Sequence, residues 1–361
     1  MATMTTRIGV AVIVDSHLDP YHFSMMYSGL SLLRDRAAIE LSFRQARLAE
    51  EKQLCSDSLT AILEVRPNRD APLSRIAIDL RDRSDVFAKT ALEHCDLYFK
   101  RSLYTPDLGP LDRGHASKVR PFGLNFACRT RSATRLMYRS LAPILMRRGW
   151  TGLRELRHFL ALPHIGEFER SREESLEPTI VFQTRVWEDH EAANGEAETI
   201  NENRVALIRA LRKEFRDRYR GGLIPTRLAL RRYPDEISKF PARRRLYTTM
   251  SRKNLIGIYT QGLFQSTAFK LPEYLAASQC IVAEEPRNVL PVPIVAGKHY
   301  MPFRSAEECV ELCAQLLQDR DRADAMRRAN RQYYASEVAP AARLMSILAC
   351  ASAITAHRDA I

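Results

Sequence analysis

The sequence predicts an α/β protein made of two doubly wound, Rossmann-like domains. Three observations predict this. The 361-residue chain is longer than one ordinary globular core requires. Short β-rich apolar runs alternate with helical stretches along both halves. A fresh apolar strand, TIVFQ at 179–183, restarts the pattern after the polar, acidic stretch GEFERSREESLEP. The boundaries that follow are a first domain at 1–165, a linker at 166–178, a second domain at 179–340 and a C-terminal helix at 341–361.

In chain order, IGVAVIV at 8–14 is an unbroken apolar run that suits a central strand buried on both faces. The preceding residues carry one Arg and no small-residue cleavage site, so this run reads as a strand and not as a signal peptide. A polar loop, DSHLDPYHFS, follows it, and a helix is expected from about 23 to 36. Further strands are expected at 39–44, 60–65, 75–80 and 96–100, and KVRPFGLNF suits the next strand and loop. From Arg129 to Arg157 the chain is helical and basic, and Pro143 should kink or end a helix there. No stretch reaches the roughly 18 uncharged apolar residues that a membrane-spanning helix requires.

In the second half, ENRVALIRALRKEF at 202–215 has one apolar face, with Asn201 as a candidate N-cap. RDRYRGGLIP suits a strand and turn. LIGIYT (255–260) and CIVAEE (280–285) flank the helix KLPEYLAAS, which makes a βαβ unit. Ser305 and Glu308 form a capping box that opens a helix to about Leu317, and a charged helix continues to about Tyr334.

The formal charge of +12, from 55 Lys+Arg against 43 Asp+Glu, favours anionic partners without choosing among nucleotides, lipid head groups and nucleic acid. The seven cysteines include no CxxC pair and no His at metal-ligand spacing, which reads as reduced thiols in a cytosolic compartment and no metal site. Cys309 and Cys313 fall one helical turn apart in an apolar pattern and read as core.

The most informative segment is IYTQGLFQSTAFKLPEYLAASQCIVAEE, 258–285. A strand ends at Thr260, and a polar loop with Gln261, Gly262, Gln265, Ser266 and Thr267 leads to a helix with Pro272 in its first turn. Unpaired N–H groups at a helix start, with the hydroxyls of Ser266 and Thr267 and the charge of Lys270, suit a diphosphate. Glu273 suits the diol of a ribose. An ordinary βαβ crossover with a favourable acidic residue in its first helical turn accounts for the same pattern.

This segment resembles the donor site of GT-B glycosyltransferases, of the group-1-like and exostosin-like kind. The resemblance spans roughly 178–335 and implies two Rossmann-like domains facing a cleft. It also implies that Glu273 binds the donor ribose, and that Lys270 with the 262–267 loop binds the diphosphate. FQTRVW resembles the group-1 strand end whose Arg faces the donor phosphates, which gives Arg185 that role. Two departures are present: Gln265 stands where the EX7E pattern has its upstream acid, and Ser278 stands where many relatives have Gly.

The acceptor side falls to the N-terminal half. Ligands of open α/β sheets sit beyond the carboxyl ends of strands, which is where Asp15, His17, Asp19 and His22 lie. Asp15, His17 and His22 are candidates for a catalytic base, with turn-capping by Asp15 and Asp19 as the structural alternative. Lys100 and Arg101, at a strand end, are candidates for stabilising a departing diphosphate, or are solvated charges.

The sequence therefore reads as a metal-independent, cytoplasmic glycosyltransferase without a cofactor. It would use a nucleotide sugar and a glycan, protein or small-molecule acceptor, with peripheral contact at the inner membrane face left open. A sugar-nucleotide epimerase of the same fold and a non-catalytic basic protein for nucleic acid or membranes are the alternatives. No zinc finger, RNP-like aromatic motif or helix-turn-helix favours nucleic acid.

Overall fold

A computed structural model of the chain describes residues 7–358, except 16, 18, 69, 171–173 and 193–194. The chain divides into two compact units. Unit 1 comprises Met1–His164, Asn288–Pro291 and Ser336–Ile361, and unit 2 comprises Ile165–Arg287 and Val292–Ala335.

Unit 1 holds a six-stranded sheet of β1 (Ile8–Val14), β2 (Ile39–Gln45), β3 (Thr60–Arg66), β4 (Ser74–Asp79), β5 (Leu97–Lys100) and β6 (Val119–Pro121), in the order β2-β1-β3-β4-β5-β6. Strand β1 runs parallel to β2, and β4, β5 and β6 run parallel to one another. Strand β3 is antiparallel to both its neighbours, so the sheet is Rossmann-like with one reversed strand. The cause lies in the connection: residues 67–73, PNRDAPL, hold two prolines and are too few for the crossover that a parallel return needs.

The helix Ser24–Asp35 buries Met25, Met26, Tyr27 and Leu30 completely or nearly so. It packs closely against the C-terminal helix Pro340–Arg358, so the chain returns to unit 1 at its end. Gly29 makes the approach possible, because a Cβ there would lie 2.4 Å from the Pro340 carbonyl oxygen. The segment 166–178, read from sequence as a linker, begins inside a short helix, Ile165–Phe168, that packs on the helix Arg244–Ser251. Residues 171–173 of that segment lie outside the described residues.

Unit 2 holds β7 (Glu177–Thr184), β8 (Tyr219–Leu223), β9 (Asn254–Tyr259), β10 (Cys280–Ala283) and β11 (Met301–Pro302), in the order β11-β10-β9-β7-β8 with every pairing parallel. The chain goes out from β7 to β8 and comes back on the other side of β7 as β9. The strand order therefore reverses between β7 and β9, and beyond their carboxyl ends such a sheet leaves a crevice for ligands. Ile180, Phe182, Ile208, Leu211, Ile256, Ile258, Val282 and Leu316 fill the core, together with Cys309 and Cys313, both fully buried. Ser305 caps the helix Ala306–Gln318 by accepting the Glu308 N–H at 3.2 Å.

No single helix among the described residues is long and apolar enough to cross a membrane. Gly29→Ala should destabilise unit 1 by about 1–3 kcal/mol, because backbone must move to admit the methyl group. Thermal unfolding of the variant checks this, and an unchanged melting temperature would contradict the close packing.

Candidate functional site

At the carboxyl end of β7, the chain turns outward through Arg185, Val186 and Trp187. The Arg185 guanidinium stacks on the Trp187 indole, 3.7 Å from the ring centroid, and forms an ion pair with Glu191. Asn201 holds this turn in place. Its side chain accepts the Trp187 N–H and donates to the Trp187 carbonyl, both at 2.8 Å. The sequence reading made Asn201 an N-cap, but the helix starts earlier, at Glu196 after the left-handed Gly195, and buries Asn201 inside it.

One turn further along the same helix, Arg204 donates to the Arg185 carbonyl at 2.7 Å and to the Gln261 carbonyl at 2.8 Å. It thereby cross-links the loops that leave β7 and β9. Gln261 extends the link to the loop after β10, giving its backbone N–H to Glu284 at 2.7 Å and its side-chain amide to the Glu285 carbonyl at 2.6 Å. Burial pushes the Arg204 guanidinium down to about 10, with Glu284 acting in the opposite sense. Burial also pushes the Glu284 carboxyl up, against the Gln261 N–H and Arg204. Nothing in the sequence separates Arg204 from the other arginines of its helix, and the reading missed it.

Beyond β9 the chain makes a tight loop. Gly262 donates to the Ser266 carbonyl at 3.0 Å, and Ser266 donates back to the Leu263 carbonyl at 3.1 Å. Phe264 and Gln265 both take left-handed backbone, at φ +58° and +54°. Such conformations cost about 1–3 kcal/mol each and collect at ligand clamps. Gln265 accepts a hydrogen bond from Arg287 at 2.6 Å.

Ser266 and Thr267 are buried in this loop. They do not stand at the helix start with which the sequence reading combined them, because Ser266 is extended and the helix begins only at Lys270 and has seven residues. Pro272 occupies its third position, where no intrahelical donor is needed.

Lys270 and Glu273 come together on this helix. The Lys270 ammonium lies 3.7 Å from one Glu273 carboxylate oxygen and 3.2 Å from the centre of the Tyr247 ring. The other oxygen receives Arg244 at 2.5 Å. The helix can seat this close to the sheet because Gly257 lies flush against the Tyr274 ring, where a Cβ would come within 2.6 Å.

Arg244 belongs to a basic cluster with Arg243, Arg245, Arg252 and Lys253, a pattern that usually only solvates a surface. Instead Arg245 pairs with Glu167 at 2.9 Å, and Arg252 donates to the Gly166 and Glu169 carbonyls at 2.9 Å each. These two tie the start of unit 2 to the helix Arg244–Ser251.

In unit 1, Asp15 directly follows β1 and His17 is exposed. Asp19 and His22 form a pair. The Asp19 carboxylate accepts the Tyr21 N–H at 2.8 Å, and its second oxygen lies 2.7 Å from His22 Nδ1. Asn125 donates to the His22 carbonyl at 3.2 Å. Burial pushes Asp19 up, but the His22 ring and the two backbone N–H groups outweigh it and leave the carboxyl below its ordinary value. Asp19 thus does more than cap a turn: it also orients the imidazole, as a carboxylate does for a catalytic histidine.

Lys100 and Arg101 do not fit the role suggested from sequence. Lys100 is fully buried, 3.0 Å from Asp79 and 2.7 Å from the Val86 carbonyl, and the same Asp79 oxygen accepts the Tyr98 hydroxyl at 2.6 Å. Arg101 is buried as well and pairs with Asp82. The sheet register is the reason: β4 places Asp79 directly opposite Lys100 on β5. Among the described residues, no group of three His, Cys, Asp or Glu could hold a metal ion.

Residues 204–349 match a protein family described as glycosyl transferase-like. This stretch covers most of unit 2 and overlaps the segment whose resemblance to group-1 donor domains was read from sequence. The C-terminal part of the chain is therefore glycosyltransferase-like. No protein of curated function matches the chain by sequence.

Among solved structures, the C-terminal domain of a group 1 family glycosyl transferase (LpcC) from Francisella tularensis is similar at 13% identity and TM-score 0.34, covering 47% of this chain and 95% of that one. A putative UDP-N-acetylglucosamine 2-epimerase from Listeria monocytogenes is similar at 12% identity and TM-score 0.45, covering 98% of each chain. A glycosyltransferase from Rickettsia africae is similar at 10% identity and TM-score 0.42, covering 92% of this chain and 82% of that one.

Lys100→Ala should destabilise the protein by about 1–3 kcal/mol, because buried Asp79 loses one of its two cations and keeps only Arg81, at 3.0 Å. Turnover per folded molecule should stay unchanged. A loss of turnover in protein shown to be folded would return Lys100 to the list of functional residues.

Proposed function

We propose that the chain is a glycosyltransferase that binds a nucleoside-diphosphate sugar at the carboxyl edge of the unit 2 sheet. It would pass the sugar to a hydroxyl-bearing acceptor. One observation carries this reading: the Nε atoms of Arg185 and Arg204 and the indole Nε1 of Trp187 are buried there without a hydrogen-bond partner among the described residues. Buried donors left unpaired cost about 1–3 kcal/mol each. A diphosphate, which only accepts hydrogen bonds, would satisfy several of them together.

In this reading Arg185, Lys270 and Arg244 stabilise the negative charge that grows on the diphosphate as the glycosidic bond breaks, the part a divalent ion takes in other transferases. Glu273 has a dual task. It holds the two cations in place, and it offers a carboxylate edge to the ribose hydroxyls. The strained 262–266 loop, held by its internal Gly262 and Ser266 hydrogen bonds, would border the phosphates. The acceptor hydroxyl gives its proton to a base as its oxygen attacks the anomeric carbon, and on unit 1 His22, oriented by Asp19, has the chemistry of such a base. The nucleoside diphosphate leaves with the electron pair of the broken bond.

The acceptor side also suggests where the chain works. Between 129 and 157 there are eight arginines and a single acidic residue, Glu155, which is paired with Arg148 at 2.7 Å. Trp150, 84% exposed, and half-exposed Met146 and Tyr138 stand among these charges. Exposed aromatic and aliphatic side chains in a basic setting match the anionic interface of a membrane.

The decisive screen adds UDP, GDP, ADP and TDP separately and follows the melting temperature. One of them should stabilise the chain by mass action. Arg185→Ala and Lys270→Ala should each lower kcat/KM with the matching nucleotide sugar by about 10²-fold while the fold persists. If all four nucleotides leave the melting temperature unmoved, the donor assignment falls. Conversion of the sugar in the absence of any acceptor would make the chain an epimerase instead.

A second measurement addresses the membrane. Cosedimentation with vesicles rich in anionic lipid should be strong and salt-sensitive, and Trp150→Ala should weaken it several-fold. Equal binding of the variant would exclude this face.

A further inference from the structure

At the amino end of β10, unit 2 has a cavity of about 490 Å³ whose wall includes Ser278, Asp324, Arg327, Arg328 and Arg331. It lies apart from the donor residues. Gln279 and the strand residues Cys280–Ala283 separate Ser278 from Glu284 at the opposite end of the strand, and the four strand residues alone span roughly 13 Å.

The charges around the cavity do not cancel. Arg327 pairs with Asp324 at 2.9 Å and donates to the Ser278 carbonyl at 3.2 Å. Arg331 donates to the Arg170 carbonyl and has no acidic partner among the described residues. Arg328 is exposed, and no hydrogen bond or ion pair of its side chain is present among the described residues. Three arginines against one aspartate leave a surplus of two positive charges. Close by, Arg170 pairs with Glu174 at 3.1 Å, which leaves the surplus unchanged.

Ser278 is the second, independent observation. It takes left-handed backbone at φ +53°, where glycine would be at ease and a serine is strained. Its hydroxyl is buried and has no hydrogen-bond partner among the described residues. A polar atom in that condition calls for an acceptor or donor from outside the chain.

We propose that this cavity binds a small phosphate dianion, either inorganic phosphate or the phosphomonoester of a sugar. Two charges on the ligand balance the two surplus charges on the wall. The planar guanidinium forks suit phosphate oxygens, and the Ser278 hydroxyl can bond to one of them. The cavity has room for a sugar ring beside the phosphate, being of the size that small ligands fill.

The test uses the full chain at constant ionic strength, titrated calorimetrically with inorganic phosphate in one arm and glucose 1-phosphate in the other. Saturable binding of one equivalent in either arm is expected, and the tighter arm tells free phosphate from ester. Arg328→Ala and Ser278→Gly should each weaken it about tenfold or more. Arg328 is exposed, and glycine suits the Ser278 backbone, so both variants should fold.

Arg185→Ala, at the donor site, should leave the binding as it was. Absence of saturable binding in both arms would overturn the proposal. So would binding that survives both cavity substitutions, or binding that is lost in Arg185→Ala, which would put the phosphate at the donor site.

Discussion

The candidate donor site depends on one side chain, Arg204. Its guanidinium reaches two backbone carbonyls that belong to different loops, one after β7 and one after β9, at the point where the strand order reverses. A sheet of this kind supplies rigid strands but leaves the loops beyond them to find their own positions. A buried arginine bound to both loops fixes their separation, and Gln261 passes the constraint on to the loop after β10 through Glu284. Desolvating that charge is unfavourable, and the fall of the Arg204 guanidinium to about 10 expresses it. Well-packed apolar residues would serve stability at least as well. What they could not supply is a fixed array of donors before any ligand arrives.

The rest of the site follows from that fixed frame. The loop after β9 holds Phe264 and Gln265 in left-handed backbone, which persists only if both ends are tied down. Arg204 and Glu284 tie one end through Gln261. The helix that begins at Lys270 ties the other, seated by the contact between Gly257 and Tyr274. Glu273 then lies where Arg244 and Lys270 converge, so the carboxylate that could contact a ribose also keeps two cations from repelling each other. Positioning and charge balance are thus the same interaction.

Much of the frame is legible in the sequence, because strand burial and helix capping are local. IGVAVIV, TIVFQ and CIVAEE mark β1, β7 and β10, and Ser305 with Glu308 marks a helix start. Lys270 and Glu273 are legible as partners because three residues along a helix bring side chains to one face. What the sequence hides is non-local.

Asn201 looks like a cap from its place before a helical pattern, yet it clamps Trp187 from inside a longer helix. Arg204 and Arg244 look like solvated charge until the partners 57 and 29 residues away are known. The reversal of β3 was available in the seven residues of PNRDAPL, but alternating strands and helices elsewhere favoured a parallel reading. Lys100 was misjudged for the same reason, since only the register of β4 against β5 shows Asp79 facing it.

Burial finally separates the cations that can meet a ligand from those that cannot. Lys100 is sealed against Asp79, whose other oxygen faces Arg81, and drawing the ammonium away would strand a charge in the interior. The side chains of Arg185, Arg244 and Lys270 are 43%, 28% and 26% exposed, and each is paired with a carboxylate at the edge of the crevice. The Arg185–Glu191 pair is open to water, and such pairs contribute about 0–1 kcal/mol, so it can be exchanged at little cost. A diphosphate offers two negative centres and many acceptor oxygens, and would compete well with Glu191 for Arg185, while the buried Glu273 keeps Arg244 and Lys270 beside it. The resting pairs keep each cation oriented until a ligand arrives, so the arrangement is stable without its ligand and still able to bind it.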